Sequence, residues 1–241
     1  MVPLIVLVCA LAMMGVELVR PGRRWPRVAG WWGRAIVLNA TQAAMVFVTG
    51  WLVDDWMRAH RPWSADGLGP WLGALLGYLV ITFVYYWWHR ARHALPGLWR
   101  WVHQVHHSPQ RLEILTSFYK HPLEMALNGV LSSAALYLVV GLGAEAALYA
   151  VLLTGLAELF YHWNVSTPRW LGYLVQRPEM HQLHHARGAH AFNYADLPLW
   201  DLLFGTFRNP TRFTGRCGFD REGALGPMLA GRVVDTPRRD R

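Results

Sequence analysis

The sequence predicts an all-α fold: a polytopic membrane bundle of about four to five helices, with a cytosolic helical cap carrying histidine clusters. Three observations predict it. Apolar residues make up 54% of the 241-residue chain and charged residues only 16%, against about 25% charged in ordinary soluble domains. Apolar runs recur at a length near the roughly 20 residues that cross a hydrocarbon core about 30 Å thick. Tryptophan, 14 residues in all, gathers at the ends of those runs (Trp31, Trp32, Trp51, Trp56, Trp87, Trp88), the pattern of an interfacial aromatic belt. So few charges cannot coat a soluble chain of this size, and so apolar a chain is not disordered. Two cysteines in unlike contexts, Cys9 and Cys217, argue against a disulfide framework or a thiolate zinc site.

The elements follow in order. Val2–Val19 is apolar apart from Glu17 and is stopped by Arg20-Pro21-Gly22-Arg23-Arg24. Its positive cluster follows the apolar run instead of preceding it, so it reads as a retained helix with its N-terminus outside and not as a cleaved signal. Ala35–Val53 is the second run, and Leu68–Trp88, with no charge, the third. These make residues 1–88 a unit of three membrane helices, followed by a cytosolic histidine loop at 89–124. Met125–Val140 and Ala146–Tyr161 are shorter and meet at Gly141-Leu142-Gly143-Ala144-Glu145, which makes 125–161 a helical hairpin that crosses or dips into the bilayer. A cytosolic histidine cap at 162–207 and a polar tail at 208–241, with little predicted order from Thr211 onward, complete a single membrane-embedded domain.

Charge sets the orientation. The net charge of +8 comes almost entirely from arginine, Lys120 being the one lysine. Five arginines lie in 20–34, whereas 54–67 balances two arginines with three aspartates. The segments 90–120 and everything after Tyr161 are again basic. The positive-inside rule places those segments in the cytoplasm. The basic charge is thus an orientation signal, no nucleic acid is expected as partner, and the chain reads as a multi-pass protein of a bacterial inner membrane with its histidines on the cytoplasmic face.

Of 12 histidines, nine fall into four clusters on that face. His89 and His93 stand four apart at the inner end of the third run, so on a helix their Cβ atoms lie about 5–6 Å apart on one face. His103, His106 and His107 form His-x2-His-His, again read as one helical face. His162 ends the fifth run, four residues after Glu158. His181, His184 and His185 repeat the His-x2-His-His spacing. Imidazole fills a core poorly unless its nitrogens are satisfied, so two copies of that triplet have no packing rationale. With no cysteine in these clusters, iron–sulfur clusters and thiolate zinc are excluded, while imidazole suits Zn, Cu, Fe and Ni. The supply fits two metals with four or five ligands each. Glu124, Glu158, Asp196 and Asp201 are, by position, carboxylates that can hold the remaining ring N–H groups. Glu158 is open between ligand, supporting carboxylate and plain helix-end charge. His121, which precedes Pro122, is open between ligand, orienting and structural roles, and His190 is a further candidate. His60 reads as a solvated residue of the outer loop.

The order His-x3-His, His-x2-His-His, His-x-Asn, His-x2-His-His, then Asn193-Tyr194 and Trp200-Asp201-x-x-Phe204-Gly205-Thr206 resembles the fatty acid hydroxylase/sterol desaturase superfamily, as does His121-Pro122-Leu123-Glu124. The resemblance covers roughly residues 80–207 and extends the supporting set to Asn164 and Asn193. It implies an integral-membrane enzyme with two iron ions. Such an enzyme uses O2 as co-substrate to hydroxylate or desaturate a C–H bond of a fatty acyl, sterol or related apolar lipid drawn from the bilayer. Ala195 follows Asn193-Tyr194 where the family commonly has glycine, which implies a less extreme backbone at that position. No flavin or nicotinamide fingerprint occurs, so an external electron donor, ferredoxin-like or another reductase chain, is implied. The competing reading is a histidine-rich membrane metal transporter or sensor without redox chemistry, which would place ionisable ligands along a pathway through the spans.

Overall fold

Five long helices run between two ends of the molecule, and the histidine clusters all lie at one of them. The computed structural model describes residues 2–188 and 190–235, among which there is no β-strand and one isolated bridge, Ala186 to Cys217. Helix α1 is Val2–Val19, α2 is Trp31–Ala59 and α3 is Gly69–Ala94. The segment α4 is composite: Pro96–Leu98, a π-helical turn Trp99–His103, and Gln104–His107. Helix α5 runs Pro122–Ser133 and continues as a π-helical stretch Ala134–Val139, and α6 is Ala144–His162. The short helices α7 (Pro178–His184), α8 (Pro198–Leu203) and α9 (Leu225–Leu229) follow.

Four segments are long and apolar enough to cross a membrane: Trp31–Ala59, Asp66–Ala94, Pro122–Val139 and Ala144–His162, with α1 apolar but shorter. The expected hairpin therefore has two arms of spanning length. Its turn is enforced at Gly141, whose φ of 77° is the left-handed region glycine enters without steric penalty. The Gly141 carbonyl accepts from Ala65 N at 2.8 Å, and Trp63 Nε1 donates to the Val140 carbonyl at 3.2 Å, pinning the turn to the loop between α2 and α3.

Close packing sets the helix ends side by side. Helix α3 packs chiefly on α6 and α2 on α5. A Cβ at Gly73 would stand 2.9 Å from Ala146 Cβ, and one at Gly77 would stand 2.8 Å from Leu136 and Leu142 side-chain carbons. Small residues here let two backbones approach, as is usual between membrane helices. The α3 and α6 helices run in the same direction, so their C-terminal histidines arrive at one level. Pro96 terminates α3, because the residue before proline is pushed out of the helical region. At the start of α5 the His121 side chain is the cap: Nδ1 accepts from Leu123 N at 3.0 Å, with Pro122 at the first helical position, a pre-organised start.

The polar tail expected at 208–241 is, as far as residue 235, part of the fold. Phe219 and Met228 are buried with Trp31, Trp99, Val105 and Tyr119 in a core beneath the histidine segment. Gln104 Nε2 donates to the Arg232 carbonyl at 3.0 Å and Trp99 Nε1 to the Asp235 carbonyl at 3.0 Å. Arg100 Nε donates to the Gly231 carbonyl. The reason is physical: α4 offers an aromatic surface and free polar side chains, and a few well-spaced apolar residues suffice to cover it. Residues 236–241 of that expected tail lie outside the described residues.

Candidate metal centre

Helix α3 carries His89 and His93 at its end. His89 Nδ1 donates to the Tyr194 carbonyl at 2.7 Å, and its Nε2 is buried without a hydrogen-bond partner, as are both ring nitrogens of His93. In α4, His103 Nδ1 donates to Glu124 Oε1 at 2.9 Å, a carboxylate also held by Arg92. His162 Nδ1 donates to the Glu158 carbonyl at 2.8 Å, and His184 Nδ1 to the Phe192 carbonyl at 2.7 Å.

The remaining ring faces converge on two points. His89, His93, His103, His107 and His184 form one group, and His106, His162, His181 and His185 another; in each, the candidate ligand atoms lie within 4.8 Å of one another. The triplets are therefore split. Successive helical residues point about 100° apart, so His103 and His107 face one group while His106 turns to the other. In α7 the assignment is reversed: His181 and His185 share the second group and His184 crosses to the first. The expectation that a whole triplet shares one face is corrected by this geometry. His107 and His185 stack where the groups meet, ring centroids 4.1 Å apart.

A cation fits this arrangement better than hydrogen bonds do. His181 Nε2 lies 3.0 Å from both His162 Nε2 and His185 Nε2, and His107 Nε2 lies 3.2 Å from His103 Nε2. A neutral imidazole carries one N–H; His162 and His103 direct theirs outward through Nδ1, and a single N–H on His181 Nε2 cannot point at both of its neighbours, whereas a cation among the nitrogens serves every lone pair. Imidazole nitrogens brought this close would suit a shared first-row transition-metal ion. Burial drives His103, His106, His107, His181 and His185 well below the ordinary value of 6.5, and takes His184 to about 3. They are neutral near pH 7, the form in which imidazole binds metal.

The supporting residues act mostly through the backbone. Asp201 accepts from Tyr194 N at 2.8 Å, Ala195 N at 3.0 Å and Thr206 Oγ1 at 2.6 Å, fixing the loop whose Tyr194 carbonyl holds His89. Asn193 has a φ of 56°; its Oδ1 accepts from Arg208 N at 2.8 Å and its Nδ2 donates to the Met180 carbonyl at 3.0 Å. The left-handed position of this loop is thus Asn193, and Ala195 has no need of glycine's freedom. Among the described residues, several candidates stand outside both groups. Glu158 is paired with Lys120. Asn164 clasps the Arg23 backbone through Arg23 N at 3.0 Å and the Arg23 carbonyl at 2.9 Å. His121 caps α5, and Asp196 lines the cavity described below. His190 is buried over His107, centroids 4.6 Å apart, with Nδ1 donating to the His184 carbonyl at 3.2 Å; burial takes it to about 4. His60 is exposed, stacked on Trp56.

Sequence reasoning missed Arg92, Lys120 and Glu17. The signals were isolation: Lys120 is the sole lysine, and Glu17 the sole charge of its apolar run. Glu17 accepts from Ile114 N at 3.2 Å and Asn164 N at 3.0 Å, tying α1 to the histidine end. A cavity of about 870 Å³ reaches the groups, touching His89, His103, His106 and His181. Leu7, Leu11, Val46 and Phe47 of α1 and α2 line it and are exposed on the outer surface, so it opens sideways.

The chain is 28% identical over 180 residues to the ornithine lipid hydroxylase OlsE of Rhizobium tropici, covering 73% of this chain and 50% of that protein. It is 32% identical over 160 residues to alkylglycerol monooxygenase of Homo sapiens, covering 64% and 34%. It is 27% identical over 187 residues to a very-long-chain aldehyde decarbonylase, GL1-4, of Oryza sativa subsp. japonica, covering 73% and 29%. The chain thus spans half or less of the length of these curated relatives. No solved structure matches it. A family model described as fatty acid hydroxylase matches residues 74–206, the stretch that holds all nine converging histidines, and the chain belongs to the fatty acid hydroxylase family.

Proposed function

We propose that this protein is a membrane enzyme that oxidises a C–H bond of a lipid with O2, using two iron ions. His89, His93, His103, His107 and His184 would hold one, and His106, His162, His181 and His185 the other. The observation that carries the reading is the convergence of buried, neutral imidazole nitrogens on two adjacent points at the end of a laterally open apolar cavity. Iron bound there supplies the activation of O2 that a saturated C–H bond requires. In hydroxylation the C–H bond becomes C–OH with one atom of O2. The other atom leaves as water, taking two protons and two electrons from a separate donor. Desaturation shares the first hydrogen abstraction and removes a second hydrogen instead.

The chain's own residues do the rest. Tyr194 and Phe192 carbonyls, the Glu158 carbonyl and the Glu124 carboxylate fix which nitrogen of each ring faces inward. Asp201 and Asn193 hold the loop that presents Tyr194. Helices α1, α2 and α6 admit an apolar chain from the bilayer and exclude water from the reacting carbon. The arginine-rich loops favour a bacterial inner membrane with the histidines on the cytoplasmic face, where a ferredoxin-like or other reductase protein would deliver electrons. A transporter would string its ligands through the span; here the histidines gather at one end.

The test is elemental analysis of detergent-purified protein, followed by incubation with membrane lipids, a reductant and 18O2. About two irons per chain and a lipid carrying one 18O atom are the expected results for hydroxylation, and an added double bond for desaturation. A chain that takes up no iron in iron-replete cells, or that leaves every lipid unchanged when iron-loaded, overturns the proposal.

A further inference from the structure

The cavity is not apolar throughout. Along α1 and most of α6 its wall is hydrocarbon; α2 adds Asn39, Gln42 and Thr49, with Asp54, Asp55 and Arg58 at the far end, and at the histidine end it carries Lys120, Glu158, Tyr161 and Asp196. Lys120 is buried and paired with Glu158. The Tyr161 hydroxyl and the Asp196 carboxyl neighbour each other on that wall, and the Tyr161 ring lies 4.4 Å from that of His181. None of the four belongs to the converging imidazoles. A buried charge pair is a poor way to stabilise a fold, since well-packed apolar residues of similar volume are generally as stable or more so. A wall built only to pass a hydrocarbon tail would not need one.

Depth points the same way. His89 stands 18 residues beyond Trp71 on α3, and His162 stands 18 beyond Ala144 on α6. At 1.5 Å per residue each separation is about 27 Å, nearly the full hydrocarbon thickness of about 30 Å. The histidines therefore sit at the edge of the apolar layer, beside Trp87, Trp88 and Trp163, which is where lipid headgroups begin. A lipid drawn sideways from that leaflet keeps its headgroup at this level and points its methyl end toward the bilayer midplane.

We propose that Lys120 and Glu158, with Tyr161 and Asp196, bind the uncharged polar linkage of a bilayer lipid (an ester, amide, ether or alcohol group) and direct oxidation to a carbon within a few bonds of it. The Lys120–Glu158 pair has no net charge, which suits a neutral dipole: Lys120 donates to an oxygen and Glu158 accepts from an N–H or O–H. The site of oxidation rests on the oxygenase reading above; the binding of the linkage does not.

Two measurements separate them. Metal-free protein in lipid nanodiscs is titrated with monohexadecanoylglycerol and, separately, with octadecane. Wild type should bind the glycerol ester at least about tenfold more tightly, and the Lys120→Met/Glu158→Gln double variant should lose that preference. The double variant leaves no buried charge unpaired, so folding is protected, and unchanged iron uptake checks it. Lys120→Arg, which keeps a cationic donor, should retain the preference. In the second measurement, 18O from 18O2 is located in the product lipid by tandem mass spectrometry. It should lie in the headgroup fragment or on the carbons next to the linkage. Equal binding of both probes by wild type, an unaltered preference in the double variant, or 18O at mid-chain or the methyl end overturns the proposal. A preference that holds while no lipid gains 18O or a double bond removes the oxygenase reading and leaves the binding site standing.

Discussion

At the scale of single residues, the consequential feature is that each His-x2-His-His triplet serves both groups. His103 and His107 leave His106 facing away, and His181 and His185 leave His184 doing the reverse. One side chain thus ties each triplet to the other's centre. His106→Ala should strip the four-membered group, and His184→Ala should weaken the five-membered one although it lies on the helix of the former. The expected readout is loss of about one iron per chain for His106→Ala and a smaller loss for His184→Ala, each with at least a 100-fold fall in turnover. Both variants should still insert into the membrane, and His60→Ala, on an exposed ring, should match wild type. Full activity in either ligand variant would reject the grouping. Asp201 acts at one remove, through two backbone N–H groups and Thr206. Asp201→Ala should release the Tyr194 carbonyl from His89 and weaken iron affinity about 10- to 100-fold, measured by chelator competition, with a smaller effect on the unloaded fold.

At the scale of elements, the segment after residue 207 changes the picture of how the histidines are shielded. Met228 has no solvent exposure and packs with Trp99 and Val105, so α9 closes the side of α4 away from the helices. Met228→Ala should leave a cavity worth about 2–5 kcal/mol, lower the thermal midpoint, and raise hydrogen exchange at 99–107. A variant with the wild-type midpoint would mean that the tail rests on α4 without supporting it. This element was hard to read from sequence because Phe219, Leu225, Met228 and Leu229 make no helical period long enough to register. The spans, by contrast, were legible as apolar runs, though their ends were not: Asp54, Asp55 and Arg58 remain helical at the end of α2, where charge suggested a loop. His89 and His93 were legible as a facing pair because helix spacing alone brings them together. The splitting of the triplets was not, because spacing gives angles around one helix and says nothing about what stands on each side of it.

At the scale of the whole molecule, the histidine end brings together many buried bases with few compensating acids, and that imbalance should govern its response to pH. His103, His106, His107, His181, His184 and His185 are all held below the ordinary value of 6.5 by burial, reinforced by their mutual proximity. For each, the unfolded chain binds a proton at a pH where the folded chain does not. Stability from this source is therefore fully present above about 6.5 and declines as pH falls from there toward the folded values, by up to about 1.4 kcal/mol per pH unit for each histidine. Asp196 works in the opposite sense: burial, with Glu158 nearby, raises it to about 7, so its folded form gains stability as pH falls through that value. Asp201 is raised by burial in the same way, and His190 adds a seventh lowered base, so the bases still outnumber the acids and dominate. Metal-free protein in detergent should hold its helical circular dichroism and elution volume at pH 7.5, then unfold steeply between about pH 6 and 4, with several protons taken up together. Iron bound to the same nitrogens competes with those protons, so loading should move the transition to lower pH. A metal-free protein equally stable at pH 5 and 7.5 would show that these imidazoles are not buried as neutral bases, and an iron-loaded protein unfolding at the same pH as the metal-free one would show that the metal is held elsewhere.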